Sequence, residues 1–512
     1  MGYYRIGKRR RCALPRALIL AAALLAAAAA HGKEESGLDK RLFESALDLY
    51  RLGKVEQALA DFQKLREEFS LSEYADDALF ELARHAYDVE RLGEFRPARD
   101  PEEAKKLLEV ILAEYPSSDK APEALVRMGM LHLDPYVAPP NLNEAYANFL
   151  RVQNIYPASD AADTARFGLG YTLYHQGEFE RAAGTLERLL MDFSDRAYLP
   201  TARLYAARAL AAHDRPQEAL HHLARLHREF PEGPYAEQAL DGASLLARFA
   251  FPHTYTFRGS VTLGEERESF RRVSSLRMAR DGLILAVDTS LRQAARFDRK
   301  GKRVASYAAE KPTDVWEAAD GTLCIANERD VLVGEKAIAV EEDTPRVVIL
   351  YDRLKAVVTT LSGEIVAFDG KQNTLIHADR DGIVQKHLMD KIRDASLHCD
   401  AQDHIWVLSS SERSLQCLTL GGDTLVSLEA GRDSPVEQPA AFALDAMGNV
   451  YVLDARKLAV LVFDPSLKLL KREITPPDGS DGEMSRPTAL AVTRDGAVLV
   501  FDEGLGKVLR YE

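Results

Sequence analysis

The chain has 512 residues, too many for one hydrophobic core, and ordinary domain sizes divide it into about two to four domains. Apolar residues make up 46% and charged residues 28%, which excludes a chain that is disordered in bulk. The net charge of −13 argues against sequence-independent binding to nucleic acid and against docking on an anionic lipid surface, since both need a basic face.

The N-terminus reads as an export signal. Arg5, Lys8, Arg9, Arg10, Arg11 and Arg16 form a basic stretch with no acidic residue, and an unbroken apolar run follows from Ala17 to Ala30. Charge, a short apolar run and small side chains are the grammar of a secretory signal peptide, here residues 1–32, cleaved after Ala30 or Gly32. The run is 14 residues, whereas a membrane span takes about 20, so no integral span is expected after cleavage. Cys12 precedes the apolar run, the wrong side for lipid attachment. Arg10-Arg11 faintly resembles a twin-arginine signal, but the general secretory route is preferred. Removing the six basic residues takes the net charge from −13 to −19. Three cysteines remain, Cys324, Cys399 and Cys417, and an odd number leaves at least one unpaired in an oxidising compartment. Cys324 and Cys417 stand in apolar, strand-like contexts and read as small buried hydrophobes.

Residues 38–248 carry a helical repeat. Ala58, Ala104, Ala145, Ala182 and Ala219 recur at separations of 46, 41, 37 and 37 residues. Eleven residues after each alanine stands an aromatic, Phe69, Tyr115, Tyr156, Phe193 or Phe230, and then Ser70, Pro116, Pro157, Ser194 or Pro231. Between alanine and aromatic the apolar residues keep helical spacing, as in Phe179, Ala182, Leu186, Leu189, Leu190 and Phe193. The alanine lets two helices approach closely, and the proline or serine ends the second helix of each pair. A second small slot, Ala46, Gly129, Gly170 or Ala207, falls in the first helix of four pairs. One pair cannot bury its own apolar face, so the expectation is an α-solenoid of about five stacked pairs.

Leu169-Gly170, Ala182, Leu186 and the Tyr-Pro or Phe-Pro endings resemble the tetratricopeptide repeat family. Tyr115-Pro116-Ser117-Ser118 and Tyr156-Pro157-Ala158-Ser159 resemble its periplasmic branch, which includes the BamD-like outer-membrane assembly lipoproteins and the cell-division coordinator proteins. The resemblance implies protein partners. Without a lipid-acceptor cysteine it does not carry over membrane anchoring. Extra residues at 91–100 and 134–141 read as surface insertions and plausible partner contacts.

The composition shifts at Phe251-Pro252-His253, and residues 254–512 read as strands. Six turn-then-strand segments recur at 281–288, 320–327, 353–359, 403–409, 448–454 and 495–502. The Asp-Gly pairs at Gly282, Gly321 and Gly496 supply the positive φ expected of two-residue hairpins, and Gly448 opens the fifth segment as a further repeat-defining position. Residues 439–445 and 487–492 read as innermost strands, and 458–464 and 506–511 as third strands. The last sheet is then one strand short, and 255–263 could supply it, removing a free edge. Pro487-Thr-Ala-Leu-Ala-Val492, Asp495-Gly496 and Val508-Leu-Arg-Tyr511 resemble NHL-type propellers, implying six blades. The fold class is therefore multidomain α plus β: a signal peptide, a tetratricopeptide-like domain and a propeller.

Chemistry-bearing motifs are sparse. No Gly-x-x-x-x-Gly-Lys loop, Gly-x-Ser-x-Gly elbow, His-Glu-x-x-His helix or paired Cys-x-x-Cys occurs. His221, His222 and His227 do not share a helical face and read as solvated. Asp288, Asp454 and Asp502 end second strands and read as turn caps, with calcium ligation at the propeller axis as the sharper alternative. The acidic, turn-rich run Pro476–Glu483 reads as an inter-blade loop, with cation binding as the sharper alternative. No catalytic residue, cofactor or metal is assigned. The expected function is a non-catalytic, periplasmic or envelope-associated scaffold that binds protein partners. The alternatives are a propeller enzyme, lyase or lactonase-like hydrolase, with a targeting arm, and a cell-wall glycan-binding module.

Overall fold

The structure, a computed structural model, describes residues 37–512 apart from 94, 96–97, 193–197, 234, 251–253, 266–267, 335–345, 348–352, 379–382, 390–391 and 477–481. The expected signal peptide, Phe193, Phe251-Pro252-His253 and most of Pro476–Glu483 fall outside the described residues. The chain forms two compact units, Met1–Val89 with Ala98–Arg127 and Glu90–Pro97 with Met128–Glu512.

The first unit holds α1 (37–51), α2 (Val55–Glu68), α3 (Ala75–Ala86), α4 (Pro101–Glu114) and the start of α5 (Ala121–Leu133). Its core joins Ala46, Ala58, Phe62, Leu65 and Ala78. Asp100 caps α4 by accepting from the Glu103 N–H at 3.0 Å, with Pro101 at the position where a missing N–H costs nothing.

The second unit contains α6 (Leu142–Ile155), α7 (Ala161–His175), α8 (Phe179–Asp192), α9 (Leu199–Ala212), α10 (Pro216–Glu229) and α11 (Ala236–Ala250), followed by the strands. The five repeat alanines, Ala58, Ala104, Ala145, Ala182 and Ala219, lie in α2, α4, α6, α8 and α10 and are fully buried. Phe69, Tyr115, Tyr156 and Phe230 are the C-caps of α2, α4, α6 and α10, each in a non-helical conformation with its own N–H returned to the last turn. Pro116, Pro157 and Pro231 follow immediately, where no helical N–H is needed. The small slots are spatial necessities. A Cβ on Gly129 would lie 2.6 Å from the Phe149 ring, and one on Gly170 2.6 Å from Leu186.

Six four-stranded antiparallel sheets form a six-bladed β-propeller. Blade 1 is β2 (Val273–Met278), β3 (Ile284–Asp288), β4 (Gln293–Phe297) and β5 (Arg303–Ala308). Blade 2 is β6 (Pro312–Glu317), β7 (Leu323–Asn327), β8 (Val331–Gly334) and β9 (Arg346–Val347). Blade 3 is β10 (Leu354–Thr359), β11 (Ile365–Asp369), β12 (Thr374–Ala378) and β13 (Ile383–Leu388). Blade 4 is β14 (Ser396–Cys399), β15 (Ile405–Ser409), β16 (Ser414–Leu418) and β17 (Thr424–Glu429). Blade 5 is β18 (Pro439–Leu444), β19 (Val450–Asp454), β20 (Ala459–Phe463) and β21 (Leu470–Ile474). Blade 6 is β22 (Pro487–Val492), β23 (Val498–Asp502), β24 (Lys507–Tyr511) and β1 (Phe257–Val261), so the N-terminal strand closes the ring through Ser260↔Leu509 and Val261↔Val508.

Both faces of each blade are covered, which explains why all six second strands are buried along their whole length. On β19, Tyr451 and Leu453 enter the core shared with blade 6, while Val450 and Val452 enter the core shared with blade 4. Cys324, Cys399 and Cys417 are free and buried in three different inter-blade cores.

Two sequence readings need correction. The segment 353–359 is the innermost strand β10, and the second strand of blade 3 is β11. Strands β10 and β11 are both apolar and buried, and blade 3 turns through Ser362-Gly363 rather than Asp-Gly, so nothing local in the sequence separates its inner strand from its second. The hairpins are also not two-residue turns. In blade 5 the Gly448 N–H donates to Asp445 O, and the Asp445 N–H donates to Asn449 O, leaving three loop residues with only the last at positive φ. The same hydrogen bonds recur at Ala279, Ala318, Thr360, Asp400 and Thr493. This is a type I turn followed by a left-handed bulge residue, supplied by Gly282, Gly321, Gly363, Asp403, Gly448 and Gly496 in the six blades.

Candidate functional site

Within the second unit, helices α7 and α9 and the first hairpin turns of blades 4 and 5 enclose a cavity of about 480 Å³. Elsewhere in this unit, polar contacts between residues that do not line the cavity tie the helical segment to the blades. Lys471 Nζ donates to Ala211 O at 2.6 Å, and the Arg248 guanidinium meets Asp495 Oδ2 at 3.1 Å. Tyr136 OH reaches Ser362 Oγ at 3.2 Å and Asp403 Oδ2 at 3.4 Å. Tyr136 lies in the insertion 134–141, read above as a partner contact, and its ring packs into the core between blades 3 and 4.

Helix α9 explains one wall. From Ala202 to Ala212 every residue is buried, as expected of a helix covered all round, yet two of them are arginines. Arg203 pairs with Glu229 at 3.0 Å. Arg208, 5% exposed, lines the cavity with its guanidinium 5.4 Å from the Tyr205 ring centroid. Among the described residues it has neither an ion pair nor a hydrogen-bond acceptor, and its Nε is buried. Around it stand Tyr171 and Tyr174, whose rings lie 4.8 and 5.3 Å from that of Tyr205. Next along α7, His175 contacts the His404 ring edge-on at 5.6 Å. Burial, with His404 adding to it, pushes the His175 pKa down to about 3, so the ring is neutral.

The opposite wall is the turn of blade 4. Asp400 Oδ1 accepts from the N–H groups of Gln402 (2.8 Å) and His404 (3.0 Å). Its Oδ2 contacts His404 Nδ1 and accepts from Trp406 Nε1, both at 3.1 Å. Burial alone would raise this carboxyl, but His404, Trp406 and the Gln402 N–H outweigh it and hold Asp400 ionised well below the usual range. Burial likewise opposes the His404 cation, yet Asp400 raises its pKa. Ligand atoms of Asp400, His404 and Cys417 lie within 4.8 Å of one another. The metal reading is weakened on two counts. Burial, and then Asp400, push the Cys417 thiol well up, away from the thiolate that a metal requires. Blade 5 also builds the same box without a histidine: Asp445 accepts from the Met447 and Asn449 N–H groups, from Asn449 Nδ2 (2.8 Å) and from Tyr451 OH (3.2 Å). The Asp400 set therefore reads as the blade-4 form of a turn-capping pattern.

The sequence-selected aspartates are also spent on structure. Asp288 accepts from the N–H groups of Arg271, Arg272, Ser290 and Leu291, at 2.6–3.0 Å. Asp454 and Asp502 hold the equivalent loops of blades 5 and 6. Burial would raise the Asp288 carboxyl, but the Ser290 hydroxyl and these amides carry its pKa below normal. Each carboxylate thus stitches the end of its second strand to the loop that enters its own blade. Of the α10 histidines, His221 is exposed as the solvated reading expects, whereas His222 is mostly buried, 3.7 Å from Glu187.

Near the propeller axis, a second cavity of about 340 Å³ brings together Arg277, Trp316 and His398 from β2, β6 and β14. Arg277 stacks 5.2 Å from the Trp316 centroid and donates to Leu397 O at 2.6 Å. Burial, followed by Arg277, pushes His398 down to about 3. Sequence reasoning missed Arg208, His175, Asp400 and His404. The one legible signal was Asp400-x-x-x-His404-x-Trp406, which parallels Asp445-x-x-x-Asn449-x-Tyr451.

Comparison with known proteins gives a family match in the helical half of the chain. The tetratricopeptide repeat family model matches residues 42–72, 90–118 and 164–195. No curated protein matches the chain. Among solved structures, a streptogramin B lyase is similar at 10% identity and TM-score 0.37, covering 50% of this chain and 97% of that one. An auxiliary nutrient binding protein from Bacteroides ovatus is similar at 11% identity and TM-score 0.41, covering 51% and 76%. A luciferin-regenerating enzyme is similar at 14% identity and TM-score 0.38, covering 49% and 95%. The chain thus carries tetratricopeptide repeats and a six-bladed β-propeller, two architectures that support a protein-interaction role.

Proposed function

We propose that this protein is an exported scaffold of the bacterial cell envelope, which holds protein partners and does not catalyse a reaction. The observation that carries the reading is the joining in one chain of tetratricopeptide repeats to a closed propeller, both of which build extended recognition surfaces. In each, the residues that define the repeat are consumed by packing and turn capping, as with Ala182 and Asp502, leaving the remaining faces to differ from repeat to repeat. Export is supported by the basic stretch and apolar run that precede residue 33. Among the described residues no helix is long and apolar enough to cross a membrane.

The test is in-cell crosslinking of the full-length chain, followed by compartment fractionation and purification of the crosslinked species. The expected result is a defined protein partner recovered from the periplasmic or envelope fraction, with the N-terminal run removed. Recovery of the chain from the cytoplasm with its N-terminus intact would overturn the export reading. A turnover activity with no stoichiometric partner would overturn the scaffold reading.

A further inference from the structure

We propose that the cavity bounded by α7, α9 and the blade 4 and blade 5 turns binds a small organic anion. The ligand carries a carboxylate or phosphate on an apolar body, and Arg208 receives the oxyanion. The inference rests on how this chain treats its buried arginines. Four are buried among the described residues: Arg127, Arg203, Arg208 and Arg296. Arg127 donates to the carbonyls of Tyr87 and Val89, Arg203 pairs with Glu229, and Arg296 pairs with Asp281 and Glu317. Arg208 alone has no acceptor among the described residues, although a guanidinium stays charged at any accessible pH and offers five N–H donors. A buried, unpaired charge is expensive, and stacking on Tyr205 supplies no acceptor for those donors.

The surroundings specify the rest of the ligand. A volume of about 480 Å³ suits a small molecule. Tyr174, Phe179, Leu425, Val426 and Leu444 provide an apolar lining for its body. Arg280 and Lys468 add positive charge at the rim of a chain whose net charge is −13. The Asp400 carboxylate does not neutralise Arg208, because both its oxygens are engaged by His404, Trp406 and backbone amides. A planar guanidinium favours bidentate binding of carboxylate or phosphate oxygens.

The test uses the purified full chain with phenyl phosphate, benzoate, benzamide and inorganic phosphate as probes. Binding is read by calorimetry and by tryptophan fluorescence, since Trp406 lines the cavity and the chain has only 2 tryptophans. The expected result is saturable binding of phenyl phosphate or benzoate, with benzamide at least about tenfold weaker for want of charge. The stronger of the two anions identifies the oxyanion. Arg208→Gln should weaken anion binding by about tenfold or more, leave benzamide unchanged, and melt no lower than the parent without ligand. If that variant fails to fold, the anion-to-amide ratio in the parent protein decides alone. The proposal is overturned if benzamide binds as tightly as the anions, if folded Arg208→Gln binds them unchanged, or if no probe saturates at millimolar concentration. Inorganic phosphate binding as tightly as phenyl phosphate would overturn the apolar body. The scaffold role does not enter these titrations, so the two readings fail separately.

Discussion

The last residue of each first-hairpin loop sits in left-handed backbone space, between +80° and +87° at Gly282, Gly321, Gly363, Gly448 and Gly496. Blade 4 places Asp403 there at +59°, and its carboxylate accepts from the Leu361 N–H at 2.6 Å and the Tyr136 hydroxyl at 3.4 Å. An aspartate tolerates this conformation better than most residues, and the two bonds offset its cost. The surroundings separate the glycines. A Cβ on Gly282 meets nothing within 4 Å, whereas one on Gly496 meets Leu245 at 2.6 Å and Arg248 at 3.2 Å. Gly282→Ala should therefore cost only the backbone strain, about 1 kcal/mol, and Gly496→Ala at least about 1 kcal/mol more. Urea denaturation of the two variants checks this, and equal losses would show that α11 does not press on the blade 6 turn.

At the scale of elements, close approach and edge closure govern. Gly170 of α7 and Gly184 of α8 are both helical, but a Cβ on the first would lie 2.6 Å from Leu186 while the second is open. Gly170→Ala is expected to destabilise by about 1–3 kcal/mol through overpacking. Gly184→Ala should stabilise by about 0.5–1 kcal/mol through helix propensity alone. Opposite shifts in thermal midpoint are the readout. Strand β1 closes blade 6 from the N-terminal side, and its Phe257 ring lies 6.1 Å from that of Tyr511. Deleting 255–261 leaves β24 as an open edge, so the expected outcome is concentration-dependent association in light scattering together with a lowered midpoint. A monomer of unchanged stability would contradict that.

For the whole molecule, buried histidines set the acid response. His175 and His398 have folded pKa values of about 3, below the unfolded value of about 6.5, so the unfolded chain binds more protons between those limits. Their contribution is complete above about pH 6.5 and declines as pH falls towards 3, by up to about 1.4 kcal/mol per pH unit for each. His404 opposes this: its raised folded pKa gives stability that is full below about 6.5 and is lost as pH rises through the folded value. The net expectation is a lower urea midpoint at pH 5 than at pH 7.5. His398→Phe should reduce the proton uptake on unfolding by about one, and an unchanged slope would remove His398 from the account.

The repeats were legible because repetition is local in sequence. Ala58 to Ala219 keep their spacing to the C-capping aromatics, and five of the six apolar second strands read within a few residues. Blade closure by 257–261 was legible too, since counting strands in the last blade leaves one missing. Tertiary structure decided what spacing cannot carry. A strand buried on both faces looks alike whether innermost or second, which is why β10 was misplaced. Whether a carboxylate binds metal or caps a turn depends on which amides surround it, and for Asp288 these come from residues 16 and 17 positions upstream. The cavity follows the same logic. Arg208 and Asp400 belong to different repeats, and only the packing of α9 near the blade turns makes one a cation without an acceptor among the described residues and the other a carboxylate already spent.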